Sequence, residues 1–416
     1  MTGRSSNNKA NRNGTTPDIT AWPSVRIDSI GEVQGGRQRS EKIVKGNPRK
    51  YLRVANVFNG FIDYSTAYEM LFTEAEERIY ELLPGDILLN EGQSLELVGR
   101  SAIYDGLPRE YCFQNTLIRF RPSPQILSAF AQQVFQFYLT TGVFAAIAAR
   151  TTSIAHLGVE RFASLRIPIP PLPEQRAIAA VLSAWDRAIG QTTALIAAKQ
   201  RLKQGLMQQL FGEAAHSQRQ LDSKLCQLGD VASETTRRNG GGLGTDSVYS
   251  VTKANGMIPM PVDTIGSDIA RYKLVRPKAF AYNPMRINIG SIARWEGDCE
   301  ALVSPDYVVF ECGPELDPDY LNHFRRGHVW DSYVKRSGDG RVRVRIYFDH
   351  LSRMRIRLPG IQEQRRIAKV LDASNADLRL LEQKLNALKQ QKRGLMQQLL
   401  TGNTRLPTKP GKVKDE

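Results

Sequence analysis

The sequence predicts an α+β protein built twice: two similar mixed α/β domains separated by two long helices that pack as an antiparallel coiled coil, with an internal pseudo-twofold repeat. Three observations carry this reading. The segment GLMQQL occurs at Gly205–Leu210 and again at Gly394–Leu399. A shift of about 189 positions also lays Glu174-Gln175-Arg176 on Glu363-Gln364-Arg365, so the repeat runs for roughly forty residues without a gap. Each copy opens on apolar residues and prolines, RIPIPPLPEQ and RIRLPGIQEQ, and then runs free of proline to Gly212 and Thr401, as a helix does after a proline-rich approach.

Taken in order, residues 1–18 are Asn, Ser, Gly and Thr with scattered basic residues and read as a disordered tail. Residues 19–167 form the first globular block, with strand-like YLRVANVF and DILLN, turns at LLPGD and YDGLP, and a helical run near ILSAFAQQVFQFYL. Residues 168–213 are the central helix. Residues 214–356 repeat the plan of the first block with little identity: LCQLGDVASE echoes VRIDSIGEV, VYSVTKANG echoes YLRVANVFNG, and LVRPKAFAYN echoes LLPGDILLN. YVVFEC and the helix-like DPDYLNHFRRGHVWDSYV answer TLIRFRP and ILSAFAQQVFQFYL. Residues 357–402 are the second long helix, and 403–416 read as another disordered tail.

Apolar residues recur along both helices in alternating steps of four and three. The first stripe is Ile178, Leu182, Trp185, Ile189, Ile196, Leu206 and Leu210; the second is Ile367, Leu371, Leu378, Leu381, Leu385, Leu388, Leu395 and Leu399. A narrow seam of this kind packs on another helix, and the mate expected for each is the other. Thr192, Lys199 and Lys203 interrupt the first seam, Ser374 and Lys392 the second. About forty residues at ~1.5 Å each span on the order of 60 Å, longer than one turn of B-DNA. Val181, Leu195 and Leu202 lie off the main stripe and suggest a further contact surface, either a partner or the globular blocks.

The net charge of +15 and a pI near 9.7 point to a polyanionic partner, with nucleic acid first. No apolar run approaches the roughly twenty residues of a membrane span, and the opening residues lack a signal-peptide core, so a cytoplasmic protein is expected. Cys112, Cys226, Cys299 and Cys312 make no C-x-x-C pair, and the five histidines show no metal-ligand spacing. There is no nucleotide-binding G-x-x-x-x-G-K-[ST] motif. Asn283-Pro284-Met285-Arg286 is a poor match to an amino-methyltransferase tetrapeptide and reads as a strand end and turn, while Gly240-Gly241-Gly242 reads as a flexible loop. The chain is therefore expected to be non-catalytic, with no cofactor of its own.

The basic clusters are the candidate DNA-binding residues. In KRSGDGRVRVRIYF, Arg341, Arg343 and Arg345 alternate with valines, so a strand would line three guanidinium groups on one face. Lys335 and Arg336 precede the Gly338-Asp339-Gly340 turn that would aim this hairpin outward. The first block offers Arg150, Thr151 and Thr152 in the corresponding stretch, and Arg37, Arg39, Lys42 and Lys45 in a loop-like segment.

Paired domains that each lead through IPIPPLPEQR or IRLPGIQEQR into a long helix ending in GLMQQL resemble the specificity subunit of Type I restriction-modification systems, over essentially the whole chain apart from the tails. The second copy departs from the pattern at Arg357, Gly360 and Ile361. The resemblance implies that each block is a target recognition domain reading half of a split sequence in double-stranded DNA, with the helices setting the unread gap. It also implies two methyltransferase subunits, which carry adenosylmethionine, and two motor-nuclease subunits, which use ATP. Ile178, Leu182, Trp185, Ile189, Leu206, Leu210, Ile367, Leu371, Leu378, Leu385, Leu395 and Leu399 are the expected helix and partner interface. The rival reading is a stand-alone DNA-binding regulator or scaffold.

Overall fold

The computed structural model describes residues 22–38, 45–150, 154–211, 223–337 and 345–407. They fall into two compact units, Met1–Gln191 with Leu385–Glu416, and Thr192–Lys384. The division runs through both long helices, Leu172–Phe211 and Ile361–Leu400, so each unit holds the start of one and the end of the other.

Unit 1 is organised on a four-stranded antiparallel sheet in the order Gly31–Gly35, Leu117–Pro122, Ile87–Asn90, Ser101–Ile103. Ile87–Asn90 is buried along its whole length, which is why DILLN reads as a continuous apolar run rather than an alternating one. A second sheet joins Tyr68–Phe72, Asn47–Leu52 and Tyr111–Phe113, the last pair parallel. Between them, helix Glu74–Tyr80 begins in a capping box, with Thr73 and Glu76 bonding each other's backbone N–H. Helix Ser128–Thr140 lays Phe130, Val134 and Phe135 into the core.

Unit 2 repeats the central sheet in the order Ala232–Thr235, Val308–Cys312, Phe280–Tyr282, Ile292–Arg294. The strand preceding each sheet pairs antiparallel with the strand that feeds the long helix: Ser24–Arg26 with Arg166–Pro168, and Ser223–Gln227 with Arg355–Pro359. The helix expected across DPDYLNHFRRGHVWDSYV is two helices, Pro318–Phe324 and His328–Ser337. Gly327 stands at the break, where its N–H closes a turn onto Phe324 O at 2.9 Å and a Cβ would lie 3.1 Å from Phe211 Cβ.

The helix seam is only partly helix on helix. In unit 1, Ile178 and Leu182 share a core with Met396, Leu399 and Leu400 and with the domain phenylalanines Phe130, Phe135 and Phe162. In unit 2, Leu206, Leu210 and Phe211 pack with Ile367 and Leu371 on a core that includes Phe280, Phe310 and Trp330. In both, the start of one long helix meets the end of the other, so the pair is antiparallel, and its ends are anchored in the globular cores. Trp185, Ile189, Leu385 and Leu395 are half-buried, and Leu378 is buried. The seam's polar interruptions bond across it: Lys392 to Asp186 at 2.6 Å in unit 1, and Lys199 to Asp377 at 2.7 Å in unit 2.

The glutamine of each EQR triplet explains why that motif stands twice. Gln175 and Gln364 are fully buried. Each side-chain oxygen accepts the N–H that opens a domain helix, from Leu127 at 2.9 Å and from Asp317 at 2.8 Å. Each amide nitrogen donates to two carbonyls, of Gln125 and Pro170 in unit 1 and of Glu315 and Pro359 in unit 2. One glutamine thus locks domain helix, feeding strand and long helix together, satisfying backbone groups that burial would otherwise orphan.

One correction concerns the C-terminal segment read as a tail from residue 403. Arg405 grips Glu174 through two hydrogen bonds of 2.6 Å and stacks 5.0 Å over Trp22, whose indole N–H also donates to Glu174. Residues 404–407 are therefore tied to the start of the first long helix.

Candidate nucleic-acid interface

The basic residues picked from the sequence separate sharply. Arg37 is the clear correction: only 4% exposed, it pairs with Glu76 at 2.8 Å and stacks 4.6 Å over Phe72, so it holds the helix Glu74–Tyr80 in place and offers nothing to a surface. Lys45 is exposed beside strand Asn47–Leu52, and Arg150 is exposed in the short strand that pairs with Ala155–His156. Arg39, Lys42, Thr151, Thr152, Arg341 and Arg343 lie outside the described residues. Arg345 is exposed and belongs to no strand, so the part of the expected arginine strand that can be seen is not one. Lys335 and Arg336 are exposed in the last turn of helix His328–Ser337, rather than in the arm of a hairpin.

Unit 1 presents an aromatic and cationic surface that charge counting missed. Phe61 and Tyr68 are more than half exposed. Phe61 stacks on Phe58 at 4.9 Å, Arg100 lies 4.9 Å over Phe58, and Arg53 lies 4.0 Å over Tyr68. The guanidinium groups are thereby held over rings, and Nε of both Arg53 and Arg100 is buried without a hydrogen-bond partner among the described residues. Exposed rings backed by cations can stack on bases while the charge faces phosphate. The signal was present as the aromatics of YLRVANVFNGFIDY, but nothing in that spacing distinguishes an exposed ring from a core one.

Unit 2 holds a cleft of about 870 Å³ whose walls include Lys253, Arg294, Arg325, Arg326, Lys335 and Arg379 against Glu296 and Asp331. Arg294 is neutralised by Glu296 and Asp319. Arg325 donates to Ile292 O and Asn322 Oδ1; burial and the neighbouring Arg326 press against its charge, which a guanidinium nonetheless keeps. Lys335 is the one residue picked from the sequence that joins this group.

The tetrapeptide at Asn283 is a turn: Asn283 Oδ1 accepts the Met285 N–H at 3.0 Å and Pro284 O accepts the Ile346 N–H at 3.0 Å. Among the described residues, no group of three His, Cys, Asp or Glu side chains could hold a metal ion, and no helix is long and apolar enough to cross a membrane.

The chain thus repeats one mixed α/β plan, with an aromatic and cationic surface in unit 1 and a basic cleft in unit 2. Residues 20–199 match the family model of the Type I restriction modification DNA specificity domain. Over that stretch the chain is similar to the DNA specificity domain of Type I restriction-modification systems. It is 24% identical over 350 residues, 79% of this chain and 80% of the relative, to a putative type I restriction enzyme MjaX specificity subunit of Methanocaldococcus jannaschii. The MjaVIII specificity subunit of the same organism is 24% identical over 193 residues, 46% of this chain and 44% of the relative. The fold is shared with the crystal structure of a Type I restriction-modification S subunit from M. genitalium (TM-score 0.55, 15% identity, 93% of this chain and 97% of that one). It is shared also with a chain solved in work on complex assembly and conformational transition of the type I R-M system (TM-score 0.56, 18% identity, 92% of this chain and 99% of that one).

Proposed function

We propose that this chain is the DNA-reading, non-catalytic subunit of a Type I restriction-modification complex in the cytoplasm. Each recognition domain reads one half of a bipartite target, and the paired helices set the gap and dock methyltransferase subunits. The observation that carries this is the duplicated joint: Gln175 and Gln364 make the same three hydrogen bonds in two domains whose surfaces differ. Such a design keeps the framework and frees the surfaces to diverge, so the two half-sites differ and the target is asymmetric. Phosphate contacts supply much of the affinity and base-edge contacts the choice.

The complex is completed by two methyltransferase subunits, which bring adenosylmethionine, and two motor-nuclease subunits, which bring ATP. The test is to mix the chain with a methyltransferase subunit and map methylated positions on DNA. A split, asymmetric motif supports the reading. A single short contiguous motif, or specific binding by the chain alone with no methylation directed, refutes it and favours a stand-alone regulator.

A further inference from the structure

The two units differ in one respect that their shared joint makes measurable. The helix shift that places Gln175 on Gln364 also places Asp186 on Asn375, Gly190 on Arg379 and Lys203 on Lys392. The matching hydrogen bonds of Leu127 and Asp317 set the domain helices in register, which places Gln133 on His323 and Gln136 on Arg326.

In unit 1 the lysine's charge is met by a carboxylate. Lys392 is buried, and its ammonium reaches Asp186 at 2.6 Å and Gln136 Oε1 at 2.9 Å; the other Asp186 oxygen accepts from Gln133 at 2.9 Å. In unit 2 the same lysine position has lost its counter-ion. Lys203 is half-buried and donates to the amide oxygen of Asn375, while Gln136 has become Arg326 and Gly190 has become Arg379. Set against unit 1, Asn375, Arg326 and Arg379 make the lysine's own surroundings more positive, while Gln200, Gln204 and Glu382 stand on the same wall where the helix shift places Lys389, Arg393 and Thr193, so the cations are rearranged around the lysine rather than added in number. Burial and Arg326 both push the Lys203 ammonium below its ordinary range, as expected for a cation held among cations. The nearby carboxylates are mostly used elsewhere: Asp372 accepts from His323 at 2.9 Å and Asp377 pairs with Lys199, leaving Glu382 on the wall.

The space is open. A cleft of about 560 Å³ is lined by Lys203, Arg326, Arg379, His323 and Asn375, and Arg326 and Arg379 also line the larger basic cleft of the same unit. We propose that Lys203, Arg326 and Arg379 form a phosphate-binding site present in unit 2 and absent from unit 1. Two arginine forks and one ammonium around a pocket with an amide donor at Asn375 suit a phosphate's oxygens, and a bound phosphate supplies the charge that Asp186 supplies in unit 1. The phosphate is either a phosphodiester of bound DNA or a free phosphate monoester; only the first source rests on the proposed function.

The experiment uses the full chain and two variants: Arg326→Gln with Arg379→Gln, which removes the rim cations, and Asn375→Asp, which restores the unit 1 counter-ion. Melting is followed in inorganic phosphate against chloride of matched ionic strength, and DNA binding is measured across salt with the methyltransferase partner present. If the source is free phosphate, the wild type gains a few degrees from phosphate, both variants lose that gain, and DNA affinity is unchanged. If the source is DNA, the double variant flattens the salt slope by about 2 and weakens binding at 0.1 M salt on the order of tenfold or more, and Asn375→Asp also weakens it. Variants that match the wild type in both arms overturn the site. A wild type that binds no DNA refutes the proposed function but leaves the free-phosphate arm to decide the site.

Discussion

Replacing Gln175 by Leu tests the joint most sharply. The side chain is fully buried and makes three hydrogen bonds of 2.9 Å, to Leu127 N–H, Gln125 O and Pro170 O. Leucine is close in volume, so packing changes little while three backbone groups lose their partners, the Pro170 carbonyl in a buried bond and the Leu127 N–H and Gln125 carbonyl in part-buried ones. At about 1–3 kcal/mol for each orphaned group, and with some relaxation toward water, the expected loss is about 3–5 kcal/mol. For a unit of this size that lowers its melting temperature by roughly 6–20 °C, at about 2–4 °C per kcal/mol. Because unit 2 carries its own glutamine, Gln364→Leu should shift a different set of amides in native-state hydrogen exchange, each variant loosening its own unit first. Calorimetry with residue-resolved exchange is the assay. A cost under about 1 kcal/mol, or equal loosening of both units by either variant, would refute the argument that this residue locks each unit separately.

Two further outcomes follow from the geometry and a third, at Arg343, from the sequence pattern alone. Asp186→Asn leaves buried Lys392 without its carboxylate and should cost about 3–5 kcal/mol in urea unfolding; a loss near zero would mean that water or Gln136 suffices. Phe61→Ala should leave melting unchanged, because the ring is 57% exposed, and yet weaken DNA binding by about 1–3 kcal/mol if it stacks on a base. Unchanged affinity would assign the Phe58–Phe61 stack to surface packing alone. Arg343→Ala should lower the salt slope of DNA binding by about 1 if its guanidinium meets phosphate, or relax one target position if it reads a base edge. Titrations with no change in slope and a motif with no change in sequence would remove that arginine from the interface.

What the sequence disclosed was set by backbone periodicity. The apolar seams of the two helices and the continuous run at Ile87–Asn90 are one-dimensional patterns legible as buried faces, but spacing did not show that both ends of the seam pack into the globular cores. The EQR motif was visible twice, but the reason for it was not, because its partners Leu127 and Asp317 are some fifty positions away in sequence. Arg37 was misjudged for a related reason: in GGRQRSEK it sits among exposed-looking charges, and only the distant Glu76 and Phe72 make it a core residue. Arg405 reads as a tail cation until Glu174 and Trp22 are brought beside it. The rearranged cations around Lys203 needed both kinds of information: the repeat to pair it with Lys392, and the fold to show Arg326 beside it.

The measurement that bears most directly on the central claim is methylome mapping of the chain with its methyltransferase subunit, for the wild type and for a form shortened by one heptad in both long helices. One heptad is about 10 Å of helix, or about three base pairs of B-DNA. If the helices hold two reading heads apart, the wild type methylates a split asymmetric motif, and the shortened form keeps both half-sites while changing the gap by a few base pairs or loses methylation altogether. A contiguous motif, or a split motif whose gap is the same in both forms, would contradict the account.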